Sequence, residues 1–129
     1  MSSKEELMNA VDNNDLKLVK AILESGVAPE PVHKYGASPL IRAADENNLE
    51  MVKLLVEHGA DVNYQDDAGD SPLICASVIG SVPIVQVLIK HGVNINAKNR
   101  FGENALGYAE HHDQNTVVKL LRESGANND

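Results

Sequence analysis

The chain of 129 residues is 43% hydrophobic and 23% charged, which is typical of one globular domain and excludes a disordered segment. Its 11 basic and 19 acidic residues leave a formal net charge of -8, which disfavours direct binding to nucleic acid phosphates. No apolar stretch has the length of a signal peptide or of a membrane span, so we expect a cytoplasmic protein that does not associate with a membrane.

Two series of glycines divide the chain at a fixed period. The first series is Gly26, Gly59, Gly92 and Gly125, each 33 residues after the one before. The second series keeps the same step at Gly36, Gly69 and Gly102. Because two such series in register do not arise by chance, the chain is predicted to consist of repeats.

Each repeat is predicted to contain two helices. Apolar residues with helical spacing precede each glycine of the first series, in residues 18–25, 51–58, 84–91 and 117–124. A shorter helix follows the second glycine and begins at Ser38-Pro39 or Ser71-Pro72, where serine can cap the helix and proline fits its first position. The turn between the two helices is predicted at Asn14, Asn47, Gly80 and Asp113. These residue types tolerate a positive φ best.

The repeat resembles the ankyrin repeat. Residues 36–40 (GASPL) and 69–73 (GDSPL) match its G-x-T-P-L signature, and residues 58–63 (HGADVN) match its closing G-A-D-V-N. The histidine that follows the signature in the family is replaced at positions 41, 74 and 107. The resemblance implies an all-α ankyrin-repeat solenoid of helix-turn-helix units joined by short β-turns. The resemblance also implies a single domain over 1–129, with units at about 1–32, 33–65, 66–98 and 99–129.

The sequence predicts no metal site, no cofactor and no enzymatic activity. His58 and His91 lie one repeat apart, about 10 Å, and one ion does not bridge that distance. Their position at helix C-termini is explained by the helix dipole, which favours cations there. The adjacent His111 and His112 point about 100° apart on a helix and make a poor bidentate site. Cys75, the only cysteine, excludes an internal disulfide and is expected to fill the core. An enzyme or metal-dependent module remains the less favoured reading.

The resemblance also implies a binding surface at the turn tips and the exposed side of the first helices, which is concave in ankyrin arrays. The residues predicted to contact a partner are Tyr35, Asp45, Glu46, Asp67, Asp70, Val78, Ile79, Arg100, Phe101, His111 and His112. Val78 and Ile79 are apolar where the other units have polar pairs, so both partner contact and packing between repeats are open. Tyr35 and Phe101 flank them, as aromatic anchors do at interfaces.

The predicted surface carries more acidic than basic residues. Seven acids lie on it, namely Asp12, Asp45, Glu46, Asp66, Asp67, Asp70 and Glu103. Three bases, Lys34, Lys98 and Arg100, leave a net charge of -4. The acids dominate the first three units, and two of the bases mark the fourth. A partner with a basic patch next to an apolar spot would complement this pattern.

These features predict a non-catalytic protein that acts by occupying a partner protein, with no domain beyond the repeats. The leading hypothesis is a monomeric binding protein that serves as a stoichiometric inhibitor or immunity-type protector of a basic protein such as a nuclease. An adaptor or scaffold subunit of a regulatory complex is the alternative. A designed array is disfavoured by the irregular caps and by Asn104-Ala105 in place of Ser-Pro.

Overall fold

The computed structural model describes residues 3–128, and within that range it has eight α-helices and no strand. The helices follow one another as four pairs: α1 (Lys4–Asp12) and α2 (Leu16–Glu24), α3 (Pro39–Asp45) and α4 (Leu49–Glu57), α5 (Pro72–Ile79) and α6 (Val82–Lys90), and α7 (Ala105–His111) and α8 (Asn115–Glu123). We number these pairs 1 to 4. The predicted all-α repeat solenoid is confirmed.

The pairs stack in two layers. The inner helices α1, α3, α5 and α7 pack in that order, and the outer helices α2, α4, α6 and α8 form the second layer. The core is aliphatic, as an aromatic content of 3% requires. Four equivalent leucines of the inner helices are fully buried: Leu7, Leu40, Leu73 and Leu106. Ala43, Ala76 and Ala109 are buried as well, and their small side chains allow the inner helices to approach closely.

Local sequence signals place the helix ends. The turns within the pairs have a positive φ at the four predicted residues, Asn14, Asn47, Gly80 and Asp113, with values between 53° and 84°. The Ser38 hydroxyl accepts a hydrogen bond from the Ile41 N–H at 3.1 Å, and the Ser71 hydroxyl caps α5 in the same way. Both predictions are confirmed. Caps and tight turns depend on residues only a few positions apart, so the sequence displays them directly.

The fourth pair has charged side chains at two positions where the other pairs have uncharged ones. Glu110 takes the repeat position of the buried Ala44 and Ser77, and Arg122 takes the position of the buried Val56. Arg122 Nη2 donates to Glu110 Oε2 at 2.6 Å. The side of pair 4 that faces away from pair 3 therefore presents an ion pair, which suits a solvent-facing repeat.

Over residues 3–128, none of the helices combines the length and the apolar character needed to cross a bilayer.

Candidate functional site

The predicted contact residues occupy two kinds of position that recur along the stack. Tyr35, Asp67, Asp70, Arg100 and Phe101 lie in the turns that precede α3, α5 and α7. The remaining six lie at or just beyond the C-terminal ends of those helices, namely Asp45, Glu46, Val78, Ile79, His111 and His112. We call the surface formed by the turns 33–37, 66–70 and 99–103 and by these helix ends the inner face.

Two of the three turns on the inner face are built in the same way. Asp66 Oδ1 accepts hydrogen bonds from two backbone N–H groups of its own turn at 3.0 and 3.1 Å. Asn99, one repeat later, accepts the equivalent two bonds at 2.9 and 3.0 Å. Asp66 therefore has a structural role within its own turn. The sequence reasoning did not single out Asn99, although its 33-residue spacing from Asp66 was the available signal.

These two turns are also bonded to each other. The Arg100 N–H donates to the Ala68 carbonyl at 3.0 Å, and Asn99 Nδ2 donates to Asp70 Oδ1 at 3.0 Å. Gly69 has φ +81°, and a Cβ there would lie 2.8 Å from Arg100 N, so only glycine permits this approach. The turn that carries Phe101 is thus held in place by its neighbour.

The turn at 33–37 has a different construction. His33 replaces the Asp66 and Asn99 type of residue, and the positive φ, +65°, falls on Tyr35 and not on Gly36. The Tyr64 hydroxyl donates a hydrogen bond to the Gly36 carbonyl. Lys34 Nζ lies 5.0 Å from the centroid of the Tyr35 ring. The regular glycine spacing gave no sign of this difference, which changes how Tyr35 is presented.

The two aromatic residues are far more exposed than the apolar pair between them. Phe101 is 76% and Tyr35 58% exposed, the highest values among the large hydrophobic side chains of residues 3–128. Val78 and Ile79 are only half-buried, and Val78 packs against the core. Gln114 of the next pair donates to the Val78 carbonyl at 2.9 Å. The apolar centre of the inner face is therefore less open than the sequence predicted, because Val78 also serves the packing between pairs.

Internal contacts divide the seven acidic residues of the predicted surface into two groups. Four carboxylates are engaged within the protein: Asp12 with Arg42, Asp66 with its turn, Asp70 with Asn99 and Glu103 with the Tyr108 hydroxyl. Three are exposed and form no hydrogen bond or ion pair with a described residue: Asp45, Glu46 and Asp67. On the basic side, Lys98 and Arg100 are exposed and likewise form no ion pair with a described residue. These five charges are free to meet a partner.

The histidines do not gather into a metal centre. His111 and His112 are both exposed, with ring centroids 5.2 Å apart in an edge-to-face arrangement. His58 Nδ1 and His91 Nδ1 each lie 2.9 Å from the carbonyl four residues earlier, so these rings donate to the ends of α4 and α6. In the part of the chain that the structure describes, no group of three metal-ligating side chains is close enough to hold an ion.

The single thiol has the surroundings of a core residue. Cys75 lies on α5 and packs against the core. Burial, together with the charges of Asp45 and Asp70, raises the pKa of the Cys75 thiol to about 12. Since the thiolate is the nucleophilic form, this raised pKa leaves little of it at neutral pH.

The comparison with protein families assigns the repeats. A family model described as ankyrin repeats (3 copies) matches residues 7–99 and 59–129. The chain belongs to the ankyrin repeat family. Ankyrin repeats bind other proteins and are generally non-catalytic, so this ankyrin repeat protein is a protein-protein interaction module. A comparison with curated proteins found no match.

Proposed function

We propose that this ankyrin repeat protein binds one partner protein through the inner face and blocks the partner's own site by occupying it. The four units at about 1–32, 33–65, 66–98 and 99–129 would act together as one monomeric, non-catalytic domain in the cytoplasm. The observation that carries the proposal is Phe101. It is the most exposed large hydrophobic side chain of the described residues, on a turn held by hydrogen bonds to the preceding turn. A rigid, exposed aromatic is typical of an interface anchor.

The free charges indicate the chemistry of the partner. Asp45 and Glu46 offer unpaired carboxylates at the end of α3, and Asp67 offers one in the turn before α5. Lys98 and Arg100 offer positive charge close in sequence to Phe101. A partner with a basic patch over α3 and α5, an apolar contact at Phe101 and an acidic group near Arg100 would complement this order. Because basic patches characterise proteins that bind nucleic acid, a nuclease inhibited by steric cover is the partner class that we propose.

Truncation of the aromatic anchors is expected to weaken partner binding strongly. Phe101→Ala and Tyr35→Ala should each cost about 2 kcal/mol, or about 30-fold in Kd, because exposed aromatics lose their full contact area. Tyr35 is replaced by alanine and not by glycine, because glycine adopts a positive φ more readily than tyrosine or alanine and would alter the backbone of the turn as well. The partner is first captured from the source lysate with the full chain, and Kd is then measured by calorimetry with the purified partner.

A matched variant on the outer layer separates this effect from general damage. Lys90→Ala, at an exposed position on α6, should leave Kd within twofold of the original. If Lys90→Ala weakens binding while both aromatic variants do not, the inner face is the wrong surface.

Reversal of the free carboxylates is expected to slow association. The triple variant Asp45→Lys, Glu46→Lys and Asp67→Lys should lower the association rate at least about tenfold at low salt, because the lysines repel the basic partner that the carboxylates attract. Charge effects at the surface are screened over about 10 Å at 0.1 M salt, so the difference should shrink as salt is added. Asp70 is left unchanged, since its contact with Asn99 is structural. Stopped-flow kinetics at several salt concentrations give the rates.

The chain offers a control with the same change of charge. Glu24, Glu57 and Glu123 are exposed at equivalent positions near the ends of outer helices, and their triple change to Lys should alter the association rate far less. Equal slowing by both triples would show that net charge alone matters. An association rate that does not depend on salt would rule out a basic partner.

A further inference from the structure

An asparagine after each of two outer helices links its repeat to the next one. Asn63 Oδ1 accepts a hydrogen bond from the Asn94 N–H at 2.6 Å, and Asn96 Oδ1 accepts from the Asn127 N–H at 3.0 Å. Asn96 Nδ2 also donates to the Gly125 carbonyl at 3.2 Å. In both cases a side-chain carboxamide joins backbone groups that lie about one repeat further along the chain. We call these two links the second and third joints, and the equivalent place between pairs 1 and 2 the first joint.

The first joint has a glutamate in place of the asparagine and lacks the link. Glu30 is the repeat equivalent of Asn63 and Asn96, but its side chain is 64% exposed and its Oε2 lies 3.9 Å from Lys4 Nζ. The N–H that would donate to it is that of Asp61. Among residues 3–128, nothing accepts a hydrogen bond from this N–H. The first joint is therefore open where the other two are closed.

Two prolines beside Glu30 account for the different backbone of this segment. At the other two joints the segment closes as a turn, in which the Tyr64 N–H and the Ala97 N–H each donate to the carbonyl three residues earlier at 3.3 Å. Pro31 takes the position of Tyr64 and has no N–H to donate. Pro29 fixes the φ of a second residue in the same segment. The turn of the later joints cannot form here.

A cleft of about 220 Å³ lies at the first joint. Its lining residues include Pro29, Pro31, Ser38, Gly59, Asp61 and Tyr64. Gly59 is the repeat equivalent of Gly125, and its carbonyl, like the Asp61 N–H, forms no hydrogen bond with a described residue. The donor and the acceptor that Asn96 joins at the third joint thus have counterparts here, but no side chain of the described residues joins them.

We propose that this cleft binds the carboxamide side chain of a glutamine or asparagine from a partner protein. The carboxamide oxygen accepts from the Asp61 N–H and its NH₂ group donates to the Gly59 carbonyl, as the Asn96 carboxamide does with the equivalent groups of the fourth repeat. The methylene groups of the side chain pack on Pro31 and on the Tyr64 ring. The site uses no residue of the inner face, so it does not rest on the function proposed for that surface.

The charges around the cleft favour a neutral amide. Glu30 and Asp61 both line it, and no basic residue of the described chain does. Lys4 offsets the charge of Glu30 only weakly, since both side chains are exposed and 3.9 Å apart. A carboxylate of the same shape is repelled and has no proton for the Gly59 carbonyl. An ammonium group is attracted, but it has no acceptor for the Asp61 N–H.

Blocked single amino acids serve as probes. The N-acetyl N-methylamides of glutamine, glutamate, methionine and lysine have the same backbone amides and differ only in the side chain. Each is titrated into the isotope-labelled full chain, and the amide signals are followed by NMR. The glutamine probe is expected to shift the signals of residues 59–64. The other three probes should bind at least about fivefold more weakly, because each loses one or both of the proposed hydrogen bonds.

A double variant tests whether the missing link explains the site. Glu30→Asn with Pro31→Tyr gives the first joint the two residues found at 63–64. It should raise the melting temperature by about 2–5 °C, slow hydrogen exchange of the Asp61 N–H and abolish binding of the glutamine probe. Glu30→Asn alone, which keeps the proline, should weaken this probe in the same direction. Glu123→Asn removes the same charge at an exposed position of α8 and should leave probe binding unchanged.

Several results would overturn the proposal. Equal binding of the glutamine and methionine probes would show a purely apolar cleft, and stronger binding of the lysine probe would assign it to a cation. Equal binding of all four probes would assign it to main-chain amides. No shift at the solubility limit of the glutamine probe, or an unchanged shift in the double variant, would contradict the assigned hydrogen bonds. Loss of binding through the inner face has no bearing on any of these outcomes.

Discussion

Deletion of residues 99–129 is expected to lower the free energy of unfolding by at least about 3 kcal/mol. In the intact chain α7 packs on α5, and α8 packs on α6. Val85 is fully buried, while Val118, its equivalent in pair 4, is half-exposed because no described helix follows it. Deletion would expose Val85 and Ile74 in the same way, and each buried side chain of this kind contributes about 1.5–3 kcal/mol.

The control for this deletion stops two residues from the end. Asn127 is bonded on both sides: its N–H donates to Asn96 Oδ1 at 3.0 Å, and its carbonyl accepts from Asn104 Nδ2 at 2.8 Å. Removal of residues 128–129 spares these bonds and should change stability by less than about 0.5 kcal/mol. Urea unfolding followed by circular dichroism measures both variants. Equal stability of the two would contradict the stacked arrangement.

Asn99→Ala is expected to destabilise the protein by about 2–4 kcal/mol. The Asn99 side chain is 7% exposed and forms four hydrogen bonds. Alanine leaves the N–H groups of Phe101 and Glu103 without their acceptor and removes the donor to Asp70. The net contribution of each lost hydrogen bond is about 0.5–1.5 kcal/mol.

The same substitution should weaken the proposed partner binding, because Phe101 would then have to be ordered during association. Asn99→Asp keeps an acceptor for the two turn N–H bonds, as at Asp66, but it replaces the donor to Asp70 by a second carboxylate, so it should also destabilise the protein. Asn94→Ala, at an exposed position, is the matched control and should stay within about 0.5 kcal/mol. Thermal unfolding and calorimetry provide the two readouts. A cost for Asn99→Ala no larger than that of Asn94→Ala would show that the turn does not depend on this side chain.

Positions on the inner face followed from the repeat, but the availability of the side chains did not. The 33-residue register placed Asp45, Asp67 and Asp70 in turns and at helix ends, where the structure has them. It gave these carboxylates equal weight. Only the folded chain distinguishes Asp70, bonded to Asn99 from the next repeat, from Asp45 and Asp67, which are free.

The period of the repeat, its two helices, their caps and the positive φ of the four turn residues within the pairs were all predictable from the amino-acid sequence. These features depend on interactions within about four residues, which a sequence displays directly. The partial burial of Val78, the distinct turn at Tyr35 and the exposure of Leu18 become apparent only in the folded structure. Each of these features depends on whether a neighbouring repeat, about 33 residues away, covers that residue, forms a hydrogen bond with it or leaves it exposed. Such contacts exist only once the repeats have stacked.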